Sequence, residues 1–194
     1  MTTETKSQQK DIASMDVHEL REELKALRES EAYYRSIFDS VPVSLEVGDY
    51  SGIKVYLENL RAKGVEDLDA YFRAHPEAVR EGIGHMSEDV FLHNKEFLSI
   101  YNSNSSTEFL EDTAGVDPMT DNTVYTEDFC RGFRELFVAL ASGATRYSTQ
   151  TTETTIDEKP FQAEVTWAIV SGYEDSWARL VVSVIPIDRI RPYI

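Results

Sequence analysis

The stretch from Thr126 to Ile187 constrains the fold most, because it reads as one amphipathic helix followed by three strand-like segments joined by two polar turns. Phe129, Phe133, Leu136, Phe137 and Leu140 recur at helical steps, which gathers them on one face that must be covered. Thr126 suits the cap at the start of that helix, and Gly143 suits the left-handed residue just past its end. The segments Arg146 to Thr155, Phe161 to Val170 and Trp177 to Ile185 are rich in β-branched and aromatic residues. Phe161, Ala163, Val165, Trp167 and Ile169 alternate along the second of them. Laying the helix on an antiparallel sheet buries both apolar faces at once.

Upstream, Asp16 followed by Glu19 has the form of a capping box, and it opens a helix over residues 15–40. Val17, Leu20, Leu24, Leu27, Glu31, Tyr34 and Phe38 alternate in steps of three and four, a heptad seam of about three repeats with charged flanks. Such a helix either pairs with a second copy or folds back on its own domain; the seam predicts a homodimer. Residues 1–14 are polar and poor in aromatics, which predicts a disordered tail. Pro42 ends the helical region.

Val43, Leu45 and Val47 alternate with Ser44 and Glu46, the pattern of a first strand. A helical insert follows at about 51–84, broken by Gly64 and by Pro76, which suits the first turn of a new helix. Val90, Phe91 and Leu92 predict a buried strand, and Phe97, Leu98 and Tyr101 a helix after it. The run from Asn102 to Thr123 is dense in polar and turn-forming residues and reads as a surface segment, with a short helix at Glu108 to Glu111. Five strands with helices between the second and third make residues 41–190 an α+β domain.

A net charge of −16 in 194 residues argues against a nucleic-acid footprint or a polybasic membrane anchor. No segment is apolar for long enough to span a bilayer, and Met1 to Gln9 lacks the apolar core of a signal peptide, so the expected location is the cytoplasm. Cys130 is the single cysteine, which leaves no internal disulfide and agrees with that compartment.

The element order and three stretches of residues resemble the PAS domain family over about residues 31–190. Val90-Phe91-Leu92-His93-Asn94-Lys95-Glu96-Phe97-Leu98-Ser99-Ile100-Tyr101 is similar to the PAS passage from an apolar strand, through an Asn, into a helix with a terminal aromatic. The stretch from Tyr56 to Val79, with Gly64-Val65, Tyr71-Phe72 and His75-Pro76-Glu77, is similar to a helical insert in sensor domains of prokaryotic histidine kinases and diguanylate cyclases. Trp177 to Val184 resembles the last strand of that group. The family usually continues into an Asp-Ile-Thr type motif; the matching stretch here is Pro186-Ile187-Asp188, in which only Ile187 fits. The resemblance implies a PAS-like five-stranded antiparallel sheet with helices on one face. It also implies a sensory module in signal transduction of the two-component type, with any kinase or cyclase output domain outside this chain.

The residues offer no catalytic set: Cys130 lies beside Glu127 and Asp128, which oppose a thiolate, and reads as a partly buried structural cysteine. His85, Glu88, Asp89 and His93 match no closed zinc spacing and read as loop residues. The family's photoadduct-forming flavin sites use an Asn-Cys-Arg-Phe type motif and its haem sites a histidine on the long helix; neither occurs here, so no cofactor and no metal are expected. A pocket between the long helix and the sheet remains, with Phe129, Phe133, Phe137, Trp167 and Asn94 as candidate ligand-binding residues and Phe133 aimed at the strand of Trp167. Three functions follow: a sensor for a small molecule that signals through a dimeric helix, a ligand-free dimerisation or interaction adaptor, and a small α+β enzyme.

Overall fold

The computed structural model describes residues 15–187, with the side chains of 87–90 excepted, so the expectations for residues 1–14 and for Asp188 lie outside the described residues. The chain divides into two compact units at Ser40 and Val41. The first unit holds helix α1 (Val17–Ser40). The expected capping box is present: Asp16 Oδ1 accepts from the Glu19 N–H at 2.9 Å, and Glu19 Oε2 accepts from the Asp16 N–H at 2.9 Å. Val17, Leu20, Leu24 and Leu27 of its apolar seam are exposed.

The second unit is built on strands β1 (Ser44–Asp49), β2 (Ser87–His93), β3 (Arg146–Thr154), β4 (Pro160–Ile169) and β5 (Leu180–Pro186). They form one antiparallel sheet in the order β2-β1-β5-β4-β3, as expected for the α+β reading. The insert folds as α2 (Ser51–Ala62), α3 (Leu68–Ala74) and α4 (Pro76–Ile83), interrupted where Gly64 and Pro76 predict. Asp67 caps α3 by accepting from the Ala70 N–H at 2.9 Å, and Pro76 takes the first turn of α4, where its missing N–H has no cost. These short helices hold because Ile53, Leu57, Leu60, Phe72 and Ile83 are buried in the common core. Helices α5 (Lys95–Tyr101) and α6 (Ser106–Thr113) follow β2, and α7 (Glu127–Ala141) precedes β3.

Thr126 caps α7 by accepting from the Phe129 N–H at 3.1 Å, and Gly143 follows the helix at φ +91°, a conformation that a Cβ would disfavour. Phe133, Leu136, Phe137 and Leu140 are buried, each such side chain contributing about 1.5 to 3 kcal/mol of apolar transfer. Gly132 lets the helix approach β3 closely, since a Cβ there would lie 2.5 Å from Thr151 Cγ2. Polar pairs fix the same contact. Asp128 Oδ2 accepts from the Thr152 N–H at 2.6 Å and Oγ1 at 2.9 Å, and Glu135 Oε2 accepts from the Tyr147 hydroxyl at 2.9 Å.

Two sequence expectations need correction. The last strand begins at Leu180, not Trp177: Trp177 sits in a turn at φ +56°, held by its N–H donating to Tyr173 O at 2.8 Å and its carbonyl accepting from Tyr50 N at 2.9 Å. The run from Asn102 to Thr123 is not merely surface, because α6 and the residues after it wall the main cavity. On β1 the polar row turns inward: Ser44 is buried and Glu46 faces the helices, while Leu45 and Val47 lie on the opposite face of the sheet.

Candidate functional site

A cavity of about 400 Å³ lies between the sheet and the helices above it. Every strand contributes to its floor: Glu46 from β1, His93 from β2, Glu153 from β3, Val165 and Trp167 from β4, Val182 and Val184 from β5. Two aromatic banks face each other across it. On one side His93 stacks on Phe97 at 4.4 Å between ring centroids, Phe97 on Tyr101 at 4.5 Å, and Phe109 meets all three edge-on. On the other, Phe133 meets Phe129 at 5.0 Å and Trp167 at 5.7 Å, so the expected approach of Phe133 to the strand of Trp167 is present. Such ring geometries add roughly 0.5–1.5 kcal/mol per pair to the packing of each bank.

Polar groups are buried among these rings. Glu153 Oε1 accepts from the Thr151 hydroxyl at 2.5 Å and Oε2 from the Tyr101 hydroxyl at 3.0 Å. Loss of water holds the Glu153 carboxyl above the usual glutamate range, with the Glu46 charge adding to the rise and the two hydroxyl donors opposing it. Burial likewise pushes Tyr101 well above the ordinary phenol value, with the Glu153 charge as the next cause; Tyr50 is raised by burial and then by Glu46. His93 is fully buried, and its Nε2 lies 3.3 Å from Glu46 Oε2. That approach is misaligned for a hydrogen bond, so both imidazole nitrogens lack a hydrogen-bond partner among the described residues.

Of the five candidate residues, Phe129, Phe133 and Trp167 line the cavity. Phe137 and Asn94 do not. Phe137 lies deeper, packed against Phe72 at 5.8 Å and against Gly82, where a Cβ would come within 2.7 Å of its ring. Asn94 is wholly buried as a joint between β1 and α5: its Oδ1 accepts from the Leu45 and Phe97 N–H groups, each at 2.9 Å, and its Nδ2 donates to Val43 O at 2.8 Å. The polar members of the site, Glu46, His93, Tyr101 and Glu153, were not singled out by sequence as ligand contacts. The signal available was weak: on β1 Ser44 and Glu46 alternate with Leu45 and Val47, while Glu153 stands in the polar run of β3 and Tyr101 at the end of α5.

A flavin bound through cysteine does not fit this cavity. Cys130 is absent from the lining; its Sγ points to Tyr125 O at 3.7 Å, and burial pushes its thiol up. Among the described residues no lysine or arginine lines the cavity to meet a phosphate. His85, one of the residues weighed as a metal ligand, instead packs its ring on Tyr56 at 5.1 Å.

No protein-family model and no curated protein matches the sequence. Among solved structures, the Rhodobacter sphaeroides LOV protein is similar at a TM-score of 0.50 and 14% identity, over 84% of this chain and 69% of that one. The PAS domain of an HTR-like protein from Haloarcula marismortui is similar at a TM-score of 0.44 and 12% identity, over 86% of this chain and 99% of that one. A domain of a sensory box sensor histidine kinase/response regulator from Geobacter sulfurreducens is similar at 0.43 and 12%, over 82% and 96%. At these identities the likeness concerns the fold. The antiparallel sheet in the order β2-β1-β5-β4-β3, with helices laid over one face and shared with the LOV protein, gives this chain a PAS-like fold.

Proposed function

We propose that this chain is a PAS-type sensory module that takes a small molecule between α7 and the sheet and signals through a dimer of α1. The observation that carries the reading is the buried His93 imidazole, which faces the cavity without a hydrogen bond among the described residues. A buried polar group left unpaired costs about 1–3 kcal/mol, and a ligand with a matching group removes that cost. The cavity is within the usual size of small-molecule sites and combines apolar walls with a few convergent polar groups.

Signalling on this reading is a population shift. A ligand favours one packing of helices on sheet only by as much as it binds that packing better. The exposed seam of Val17, Leu20, Leu24 and Leu27 supports pairing of α1 with a second copy, since a lone helix leaves that surface in water. No described helix is long and apolar enough to cross a membrane, which agrees with a cytoplasmic module. The reading is binding and not catalysis, because among the described residues the cavity assembles no set of nucleophile, base and orienting group.

Mass spectrometry of the full chain, gently purified and then denatured, tests the reading. A released small molecule at near-equal stoichiometry supports the sensor. An empty chain whose melting temperature no compound of a broad metabolite library raises leaves the ligand-free adaptor.

A further inference from the structure

The charge pattern of the cavity narrows the ligand class, and the argument rests on the sensory reading above. Glu46, Asp112, Asp121, Glu153 and Glu158 all line the cavity, and among the described residues no lysine or arginine does. Asp112 and Glu158 are exposed at its rim, while Glu153 lies on the floor with 7% of its surface accessible. Asp121 is occupied in part, its Oδ1 accepting from the Thr123 and Val124 N–H groups at 2.8 Å each. Glu46 and Glu153 thus stand on the floor of one apolar chamber, with the His93 imidazole beside Glu46 and no lysine or arginine among the described lining residues. Two carboxylates that share a low-dielectric site repel, and the Glu46 charge adds to the upward push that burial gives the Glu153 carboxyl.

An acidic set alone is a solvated patch. The second observation is His93, wholly buried in the lining of the same chamber on the strand next to Glu46: neither of its nitrogens makes a hydrogen bond among the described residues, although Nε2 lies 3.3 Å from Glu46 Oε2. An uncharged imidazole presents one N–H donor and one acceptor nitrogen, while each carboxylate presents only acceptors, so acceptors and negative charge outweigh donors in the chamber. The element that balances them is a donor with positive charge. The rings supply the rest: Phe97, Tyr101 and Phe109 on one bank and Phe133 and Trp167 on the other offer π faces and edges, and a cation held against such faces is attracted by their quadrupoles.

We infer that the cavity binds a small organic cation, a protonated amine on an apolar or aromatic body, whose N–H groups donate to Glu46, Glu153 and His93 while its body lies between the two aromatic banks. The acidic rim and the net charge of −16 draw such a ligand in and turn carboxylates away.

The test uses the full chain and a matched indole series: tryptamine as cation, 3-ethylindole as the same body without the amine, indole-3-propionate as anion, with calorimetry and melting curves as readouts. Tryptamine is expected to bind about 10- to 100-fold more tightly than 3-ethylindole, the range that hydrogen bonds to charged groups support. Indole-3-propionate is expected to bind weakest. In Glu46→Gln the preference for the cation falls by about tenfold or more while 3-ethylindole binds as before, which shows an intact chamber. Glu153→Gln gives a second reading should the first variant fold poorly. If the neutral or anionic member of the series binds as well as tryptamine, or if Glu46→Gln and Glu153→Gln both leave the preference unchanged, the cation assignment is overturned and the sensory reading stands. If none of the three binds and the denatured chain releases no small molecule, both fall.

Discussion

Tyr101 on α5 donates its hydroxyl to Glu153 on β3 across the inside of the domain, a 3.0 Å hydrogen bond between two fully enclosed side chains. It leaves the carboxylate dependent on two hydroxyls, the other from Thr151. Tyr101→Phe keeps the ring contacts with Phe97 and Phe109 and removes one donor. Urea unfolding is expected to show a loss of about 1–3 kcal/mol, the cost of an under-bonded buried group. An unchanged midpoint would mean that water already serves this oxygen.

Glu153 also sets a pH dependence. Its carboxyl is held above the ordinary glutamate value in the native state, first by burial, so the native chain binds that proton more readily than the unfolded chain does. Its contribution to stability is fully present below the unfolded value and is lost as pH rises through the raised native value. Glu153→Gln removes this term. The difference between unmodified and variant stability, measured by urea unfolding from about pH 4 to pH 8, is expected to turn against the unmodified chain as pH rises. A flat difference curve would contradict it.

Gly132 predicts a rescue. Gly132→Ala places a Cβ at 2.5 Å from Thr151 Cγ2 and is expected to lower stability by about 1–3 kcal/mol, since α7 must lift from β3. Adding Thr151→Ser removes that methyl while keeping the hydroxyl that bonds Glu153. The pair is expected to recover at least half of the loss, and additive losses in a double-mutant cycle would refute the contact as the cause.

Phe133 separates core from chamber. Phenylalanine-to-alanine changes in filled cores cost about 3–5 kcal/mol; Phe133 touches Phe129, Phe137 and Trp167 on one side but the cavity on the other, so Phe133→Ala is expected near the lower end. Ligand affinity changes at the same time. A loss near 5 kcal/mol with unaltered ligand response would place the residue in a self-filled core.

Helix α1 carries the dimer prediction. Leu20→Asp with Leu24→Asp places two charges on the exposed seam, and sedimentation of the full chain is expected to turn from dimer to monomer. A monomer before substitution would remove the coil from the signalling scheme.

Most of the fold was legible because its signals are local. Thr126, Asp16 with Glu19, Gly143 and Pro76 each mark a helix end through chemistry within a few residues. The approach of Phe133 to Trp167 was also within reach, since an apolar helix face and an alternating strand must meet. The polar half of the site was not. Alternation on β1 is symmetric, and only the pairing of Glu46 with His93 on β2 and Val182 on β5 decides which row turns inward. The wall after Asn102 was misread for a related reason: Phe109 and Leu110 are few among polar neighbours, and their burial comes from β2 and α5, distant in sequence. Trp177 looked like strand because its residue type favours sheets, but the turn bonded to Tyr173 prevailed.

The sheet order has a mechanical consequence. The first and last strands of the domain are neighbours at its centre, antiparallel, with Ser44 opposite Val184. The start of β1 and the close of β5 therefore lie side by side at the same end of the sheet, like two leads soldered to adjacent terminals. Glu46, on the first of these strands, is also part of the chamber floor. A side chain that meets the chamber thus sits on the strand whose backbone is bonded directly to the last one, so the two strands are tied to the chamber as a pair.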